Sequence, residues 1–503
     1  MCLAILGAGY LAIAVVAGAP QSPLTVLLPA GISSPSWAAT LAKAFDLHRV
    51  GRSSLIGVSW LLVVVVLVAF ALLLWEAWSR RVGIAAVLIG SGVSLTISVA
   101  APVLLSHDVL TYAAYGRIDA VYHHNPYVTK LSAFPHDPFV AVTPGQWLHT
   151  HSVYGPVFTL ASTGIARMFA GSPTATIFAF KLLAGLAIAA ATGLVALTAT
   201  RTRPDRAPLA AAIVGLNPVL VVHTVGGGHV DALISAPLAA ATAIAVTRPQ
   251  VASARSFAIT VLLTLAWLIK AVIVPALALW LLWIVRRERK HPGRILTAHL
   301  ALVAGLSIAS VLPYLAGWHT LAPFATLGGV EAWASPSHLV GHAVRAIVGS
   351  SVGPDAAEAV QAAFLLLFAV LLWRLAGRAS SLADAWGVAL LLLALSIPFF
   401  LPWYAAWFAP FVGLLADEAL LLAGVLVTGV LALTLVPADP FHGLTAPAVM
   451  DGAHYGAASV LLLVLLFVTF RVLPGGHRLG AATGSVRARV SLRGLSFLRR
   501  LHA

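Results

Sequence analysis

Of 503 residues, 60% are hydrophobic and only 9% charged, with a mean hydropathy of +0.97; soluble domains carry about a quarter charged residues, so a water-soluble globular protein is excluded. The formal net charge of +14 would suit a polyanion, yet the basic residues stand in short clusters between apolar runs, the pattern of cytoplasmic loops rather than of a nucleic-acid surface. Cys2 is the lone cysteine, so no intramolecular disulfide forms.

The chain reads as an all-α polytopic integral membrane protein. Its first apolar run, 3-19, resembles a signal-peptide core, but no lysine or arginine precedes it and the first basic residue is Lys43, which makes it a first span. Further runs long enough to cross, or nearly so, lie at 55-75, 83-105, 174-199, 208-222, 229-247, 256-285, 295-316, 358-376, 383-400, 403-416, 419-436 and 455-472. The clusters Arg80-Arg81, Arg201 to Arg206, Arg248 to Arg255, Arg286 to Lys290, Arg374 with Arg378, and the tail from Arg471 belong inside by the positive-inside rule, which turns 106-153 outward. Two segments must then bend. Segment 154-170 is expected to be re-entrant or interfacial, and 256-285 to be two short crossings that break near Lys270.

The result is roughly 13-14 transmembrane helices in one domain, 1-472. Its outer loops are 20-54, 106-153, 317-357 and 437-454, and the chain ends in a basic cytoplasmic tail, 473-503. From Arg471 onward there are seven arginines and no acid, which suits anionic lipid heads as well as a solvated tail.

Three features carry possible chemistry. Asp108 arrives where the uncharged run 83-105 should reach the membrane surface, beside His107 and near Tyr112, Tyr115 and Arg117. An acid there is either a helix-end group reaching water or a functional group, and this company favours function. Gly226-Gly227-Gly228-His229-Val230-Asp231 lets backbone approach a ligand closely, or is a glycine turn with Asp231 as a helix cap. Lys270 is a lone cation in an apolar stretch with no acid nearby in sequence, suited to an anionic lipid phosphate or simply snorkelling from the break.

Other residues are weaker candidates. Pro402-Trp403-Tyr404 with Trp407 reads as interfacial anchors or as rings that stack on a sugar or prenyl chain. His149-Thr150-His151 with His136 and Asp137 matches no strong metal motif, and no metal is expected. His338 and His342, four apart, share a helical face that would reach substrate from the 317-357 loop.

Together these motifs resemble the polyprenol-phosphomannose-dependent α-1,6-mannosyltransferases of actinobacterial cell envelopes, membrane glycosyltransferases of the GT-C fold. The resemblance covers about 55-472. Ser106-His107-Asp108 with Tyr112 and Gly116, Asn125-Pro126-Tyr127 and Val153-Tyr154-Gly155-Pro156 carry it first. Leu216-Asn217-Pro218, Gly227-Gly228-His229 with Asp231, Ile269-Lys270-Ala271 and Leu401-Pro402-Trp403-Tyr404 follow in the family's order. The family often has Asn where this chain has Val230.

The resemblance implies transfer of mannose from a polyprenyl-phosphate donor to a mannan or glycolipid acceptor on the outer face of the cell membrane, a step of cell-wall lipoglycan biosynthesis. It implies no nucleic acid partner. The chemistry agrees: a phosphate leaves as a stable anion, so one carboxylate taking the acceptor's proton suffices for an inverting displacement. Asp108 would be that base, Lys270 and His229 would hold the phosphate, and His107, Tyr112, Tyr154, Asp231, Trp403, Tyr404 and His338 would line the substrate. No cofactor is called for, and there is no P-loop or dinucleotide fingerprint. The alternative is a transporter or flippase of a lipid-linked saccharide, which inverted repeats would favour; none are evident.

Overall fold

The computed structural model describes residues 1-473 other than 27, 30, 31, 33, 34, 319-333, 349-352, 379, 380 and 435-446. The tail beyond Leu473, most of the 437-454 loop and parts of the 20-54 and 317-357 loops thus lie outside the described residues.

Long runs of Leu, Val, Ala and Ile leave backbone polar groups no water to bond, and the helix satisfies them within one segment. Among the described residues there is no β-strand, only isolated bridges between Thr25 and Leu104 and between Ala316 and Trp318. The first part of the chain forms α1 (Cys2–Ala17), α2 (Ser36–Ala44), α3 (Arg52–Trp78), α4 (Ile84–Ala100), α5 (Asp108–Ala120), α6 (Gly145–Leu148), α7 (Pro156–Met168), α8 (Pro173–Thr202) and α9 (Ala207–Gly215). It continues with α10 (Asp231–Ala245), α11 (Ala254–Ile269), α12 (Val274–Arg287), α13 (Pro292–Val311), α14 (Pro336–Val348) and α15 (Gly353–Arg378). The last helices are α16 (Leu382–Ser396), α17 (Ala405–Val412), α18 (Glu418–Leu433) and α19 (Pro447–Val472).

Among the described residues, six helical stretches are long and apolar enough to cross a membrane, and six further apolar helices have 10–17 residues. The protein is therefore a multi-pass, all-α membrane protein. Helix α3 turns Leu61, Val64, Val68 and Leu72 outward, whereas α16 is buried from Ala383 through Ser396 and α17 along its whole length. The stretch from Ala207 through Val225 is likewise almost wholly buried.

Several segments depart from simple crossings. Helix α7 has 13 residues, about 20 Å, less than a ~30 Å hydrocarbon core. The 256-285 run breaks at Lys270, whose φ of −153° and ψ of 127° interrupt the helix between α11 and α12. The 403-416 run gives only the eight residues of α17, too short to cross alone, because a 3₁₀ turn at Pro402–Tyr404 precedes it and the chain turns again at Gly413.

Three of the basic clusters meet at one end. Arg80 bonds Asp205 at 2.8 Å, Arg206 pairs with Glu418, and Arg471 pairs with the neighbouring Asp417. Helix α4 starts just after Arg80-Arg81 and runs 17 residues, about 25 Å, so the segment following it lies at the opposite end. The candidate site is built there.

A candidate active site at the end opposite the arginines

Past α4 the chain is tied down at every step to Asp108. Lys181 of α8 donates to the carbonyls of Ala101 and Pro102. Leu104 N–H bonds Gly226 O at 3.1 Å, and Leu105 N–H bonds Leu24 O at 3.0 Å. Leu105 adopts φ +60°, the left-handed region that costs a branched residue energy and persists only where surrounding contacts hold it. Ser106 Oγ accepts from Asp108 N–H at 3.1 Å, and α5 begins. A carboxylate at this N-terminus is favoured by the helix dipole.

Asp108 Oδ2 lies 3.3 Å from His229 Nδ1 and accepts the Tyr112 hydroxyl at 3.3 Å; its side chain is 26% exposed. Burial, the largest influence, pushes the Asp108 carboxyl up, but the contact with His229, the charges of His229 and Lys270, and the Tyr112 hydroxyl outweigh it and hold it below its ordinary value. Burial, followed by the nearby Asp108 charge, raises Tyr112 well above the ordinary tyrosine value, so its hydroxyl stays a donor.

The partners of Asp108 come from the stretch after α9. There a π-helical segment, Val219–Val225, widens the turn, begun by Asn217, whose Oδ1 accepts from Val219 N–H. Gly228 then turns the chain at φ +68°, where a Cβ would sit 3.0 Å from Val109 and 3.2 Å from the Lys181 stem. Only glycine takes this conformation in this space without strain. His229 emerges with its ring stacked on Trp403 at 3.7 Å between centroids.

Asp231 opens α10 without capping it. Fully buried, its Oδ1 instead accepts from Lys270 Nζ at 2.8 Å and from Trp407 Nε1 at 2.6 Å. Lys270 Nζ also lies 4.1 Å from the Tyr404 ring centroid and 5.1 Å from that of Trp407, within cation–π range. Its place is fixed from a third direction. Gly155 N–H bonds Ile269 O at 3.0 Å, and a Cβ on Gly155 would meet Leu268 O at 2.0 Å, so nothing but glycine lets the Tyr154-Gly155-Pro156 turn press against the break in α11. Tyr154 meets Tyr112 edge-on at 5.0 Å.

Asp108, Tyr112, Tyr154, His229, Asp231, Lys270, Trp403 and Tyr404 thus form one connected cluster, with buried His107 at the head of α5. His338 lies on α14 with its ring 6.4 Å from that of His342, and α14 packs on α15, α16 and α19. His229, expected at the phosphate, turns its Nδ1 to Asp108 and Tyr112. Lys270, which has no acid near it in sequence, finds one 39 residues away in Asp231. Trp403 and Tyr404 are each 6% exposed and packed on site residues rather than standing as membrane anchors. Asp137 is engaged by Arg117 at 2.6 Å and Tyr122 at 2.9 Å; among the described residues no three His, Cys, Asp or Glu side chains converge as a metal site would need.

Sequence reasoning passed over one residue of this neighbourhood and misread the company of another. Trp407, read with Trp403 and Tyr404 as an anchor or stacking ring, bonds Asp231 instead; it lies three and four positions after Tyr404 and Trp403, a helical spacing that puts the rings on one side. Lys181 is a lone charge within the 174-199 run, the same signal that marked Lys270.

The fold defines a multi-pass membrane protein whose candidate site joins a carboxylate, a cation and aromatic walls. Residues 8–286, more than half of the chain, match the model of the α-(1→6)-mannopyranosyltransferase family, N-terminal domain, and the protein belongs to that family. It is accordingly a hexosyltransferase that uses a sugar donor and an acceptor. Neither a curated protein nor a solved structure matches the chain.

Proposed function

We propose that the protein transfers mannose from a polyprenyl-phosphate donor to a mannan or glycolipid acceptor at the outer membrane face, with inversion and with Asp108 as general base. The acceptor hydroxyl gives its proton to Asp108 while its oxygen bonds the anomeric carbon, and the bond from that carbon to the donor phosphate breaks. Polyprenyl phosphate leaves as an anion. The observation that carries this reading is the pairing of a partly exposed, ionised carboxylate with a nearby enclosed ammonium. An ammonium has three N–H donors and Asp231 takes one, so Lys270 can also bond a phosphate whose charge grows in the transition state.

His229, with Nδ1 toward Asp108, is assigned to keeping the base ionised and aimed rather than to the phosphate. Tyr154, Trp403 and Tyr404 offer apolar and aromatic surface for the sugar and prenyl chain, and His107 and Tyr112 shape the acceptor side. Asp231 serves by holding Lys270. His338 has no part in this arrangement. Membership of a mannosyltransferase family gives a pure transporter no support.

The test supplies purified protein with labelled polyprenyl-phosphate mannose and a panel of mannoside acceptors. Formation of a new mannosidic bond is expected; movement of the lipid-linked sugar without bond formation would overturn the reading.

A further inference from the structure

Lys181 is buried at 2% exposure in the first third of an apolar helix, and its ammonium is bonded to two backbone carbonyls, those of Ala101 and Pro102, the latter at 2.9 Å. Among the described residues no carboxylate pairs with it. A lysine is costly in such a place and escapes to water where it can. Here it stays, on the end of α4, where unpaired carbonyls and the negative end of the helix dipole favour a cation.

Its stem does a second thing. Gly228 packs against Lys181 Cγ and against Val109 Cγ2, so the lysine lies under the turn that carries His229 and beside the residue that follows Asp108. Leu104, bonded to Gly226, links the same two strands of chain. One side chain therefore touches both arms whose separation sets the contact between Asp108 and His229.

We propose that Lys181 is a positioning residue for sugar transfer, holding the exit of α4 against the Gly228 turn so that Asp108 meets His229 and the acceptor in working geometry. The proposal rests on Asp108 as the base. Lys181→Met keeps most of the stem and removes the donors. Its kcat, per folded molecule, is expected to fall on the order of 10²-fold, the effect of a displacement near 1 Å, with the donor KM little changed.

The pH profile supplies a readout that loss of stability alone would not move. The titratable groups facing Asp108 are His229, Tyr112, Lys270, Tyr154 and Tyr404, and relaxing the contacts with the first two moves the acid limb of kcat/KM upward in pH. Lys181→Gln, which retains a donor, should recover part of kcat and shift the limb less; if the Met variant fails to accumulate, the Gln variant is scored by the same criteria. A parental kcat and an unmoved limb in these variants would overturn the proposal. Asp108→Asn is assayed beside them. An inactive Asn variant with normal Lys181 variants sinks the proposal alone, whereas an active Asn variant sinks the base assignment and the proposal with it.

Discussion

Two ion pairs of equal length stand at opposite ends of the molecule. Arg80 and Asp205, at 2.8 Å, have side chains 69% and 47% exposed; Lys270 and Asp231, also at 2.8 Å, are 17% and 0% exposed. In water such a pair is worth about 0–1 kcal/mol. In an enclosed site the attraction is larger, but so is the cost of desolvation, and removing one partner leaves a buried charge uncompensated. Distance alone therefore says little about what a pair does; burial separates a surface clasp from a group kept charged for a task.

The largest effect should come from the acid beside this buried pair. Asp108→Asn keeps shape but cannot accept a proton, and transfer should fall by ~10²–10⁴-fold at normal expression. Product formed at close to the parental rate would remove Asp108 from the mechanism. Because the folded carboxyl is held below its ordinary value, both its stabilising contribution and its competence as a base persist above the ordinary ~3.9 and are lost only as pH falls through the lowered value. An acid limb of kcat/KM lying above that range would contradict the assigned base.

Next is the pair itself. Lys270→Met should destabilise the protein by about 3–5 kcal/mol, read from thermal unfolding in detergent, because Asp231 is left charged and buried. Adding Asp231→Asn should restore much of that stability yet not the use of the donor, separating the structural from the phosphate role. If the double variant regains the parental donor KM and rate, Lys270 does not serve the phosphate.

Gly155→Ala drives a methyl into Leu268 O. The end of α11 must shift, at a cost of roughly 1–3 kcal/mol, and donor KM should rise more than acceptor KM because Lys270 moves with it. Equal kinetics for both substrates would show that the turn does not set Lys270. The smallest effect belongs to the other end: Arg80→Ala should change stability by at most about 1 kcal/mol and leave transfer untouched. A larger loss would mean that burial is not what distinguishes the two pairs.

The helical class was legible because charge-free runs of this length admit little else, and Asp108, His229, Asp231 and Lys270 stood out because ionisable groups are rare here. Their partnerships were not. Asp231 lies 39 residues from Lys270 and 176 from Trp407, and no local pattern encodes contacts between helices so far apart. His229 illustrates the limit: its chemistry suits a phosphate or a carboxylate equally, and only the turn at Gly228 decides which it meets. His338 is a second case, since a histidine pair at helical spacing gave no sign of which helices α14 would pack on.

The indole of Trp407 that bonds Asp231 has one more consequence, and it concerns biogenesis. At ~5–20 residues per second, the 176 residues between them take roughly 10–35 s to synthesise. Through that interval the nascent chain holds Asp231 and, later, Lys270 without the indole and rings of the 402–407 segment. The half-built site must be sheltered by lipid, water or the insertion machinery until Trp403, Tyr404 and Trp407 arrive. A ribosome stalled between α10 and Lys270 would leave Asp231 with neither its cation nor its indole, and one stalled between Lys270 and α17 would leave the ion pair without its aromatic cover.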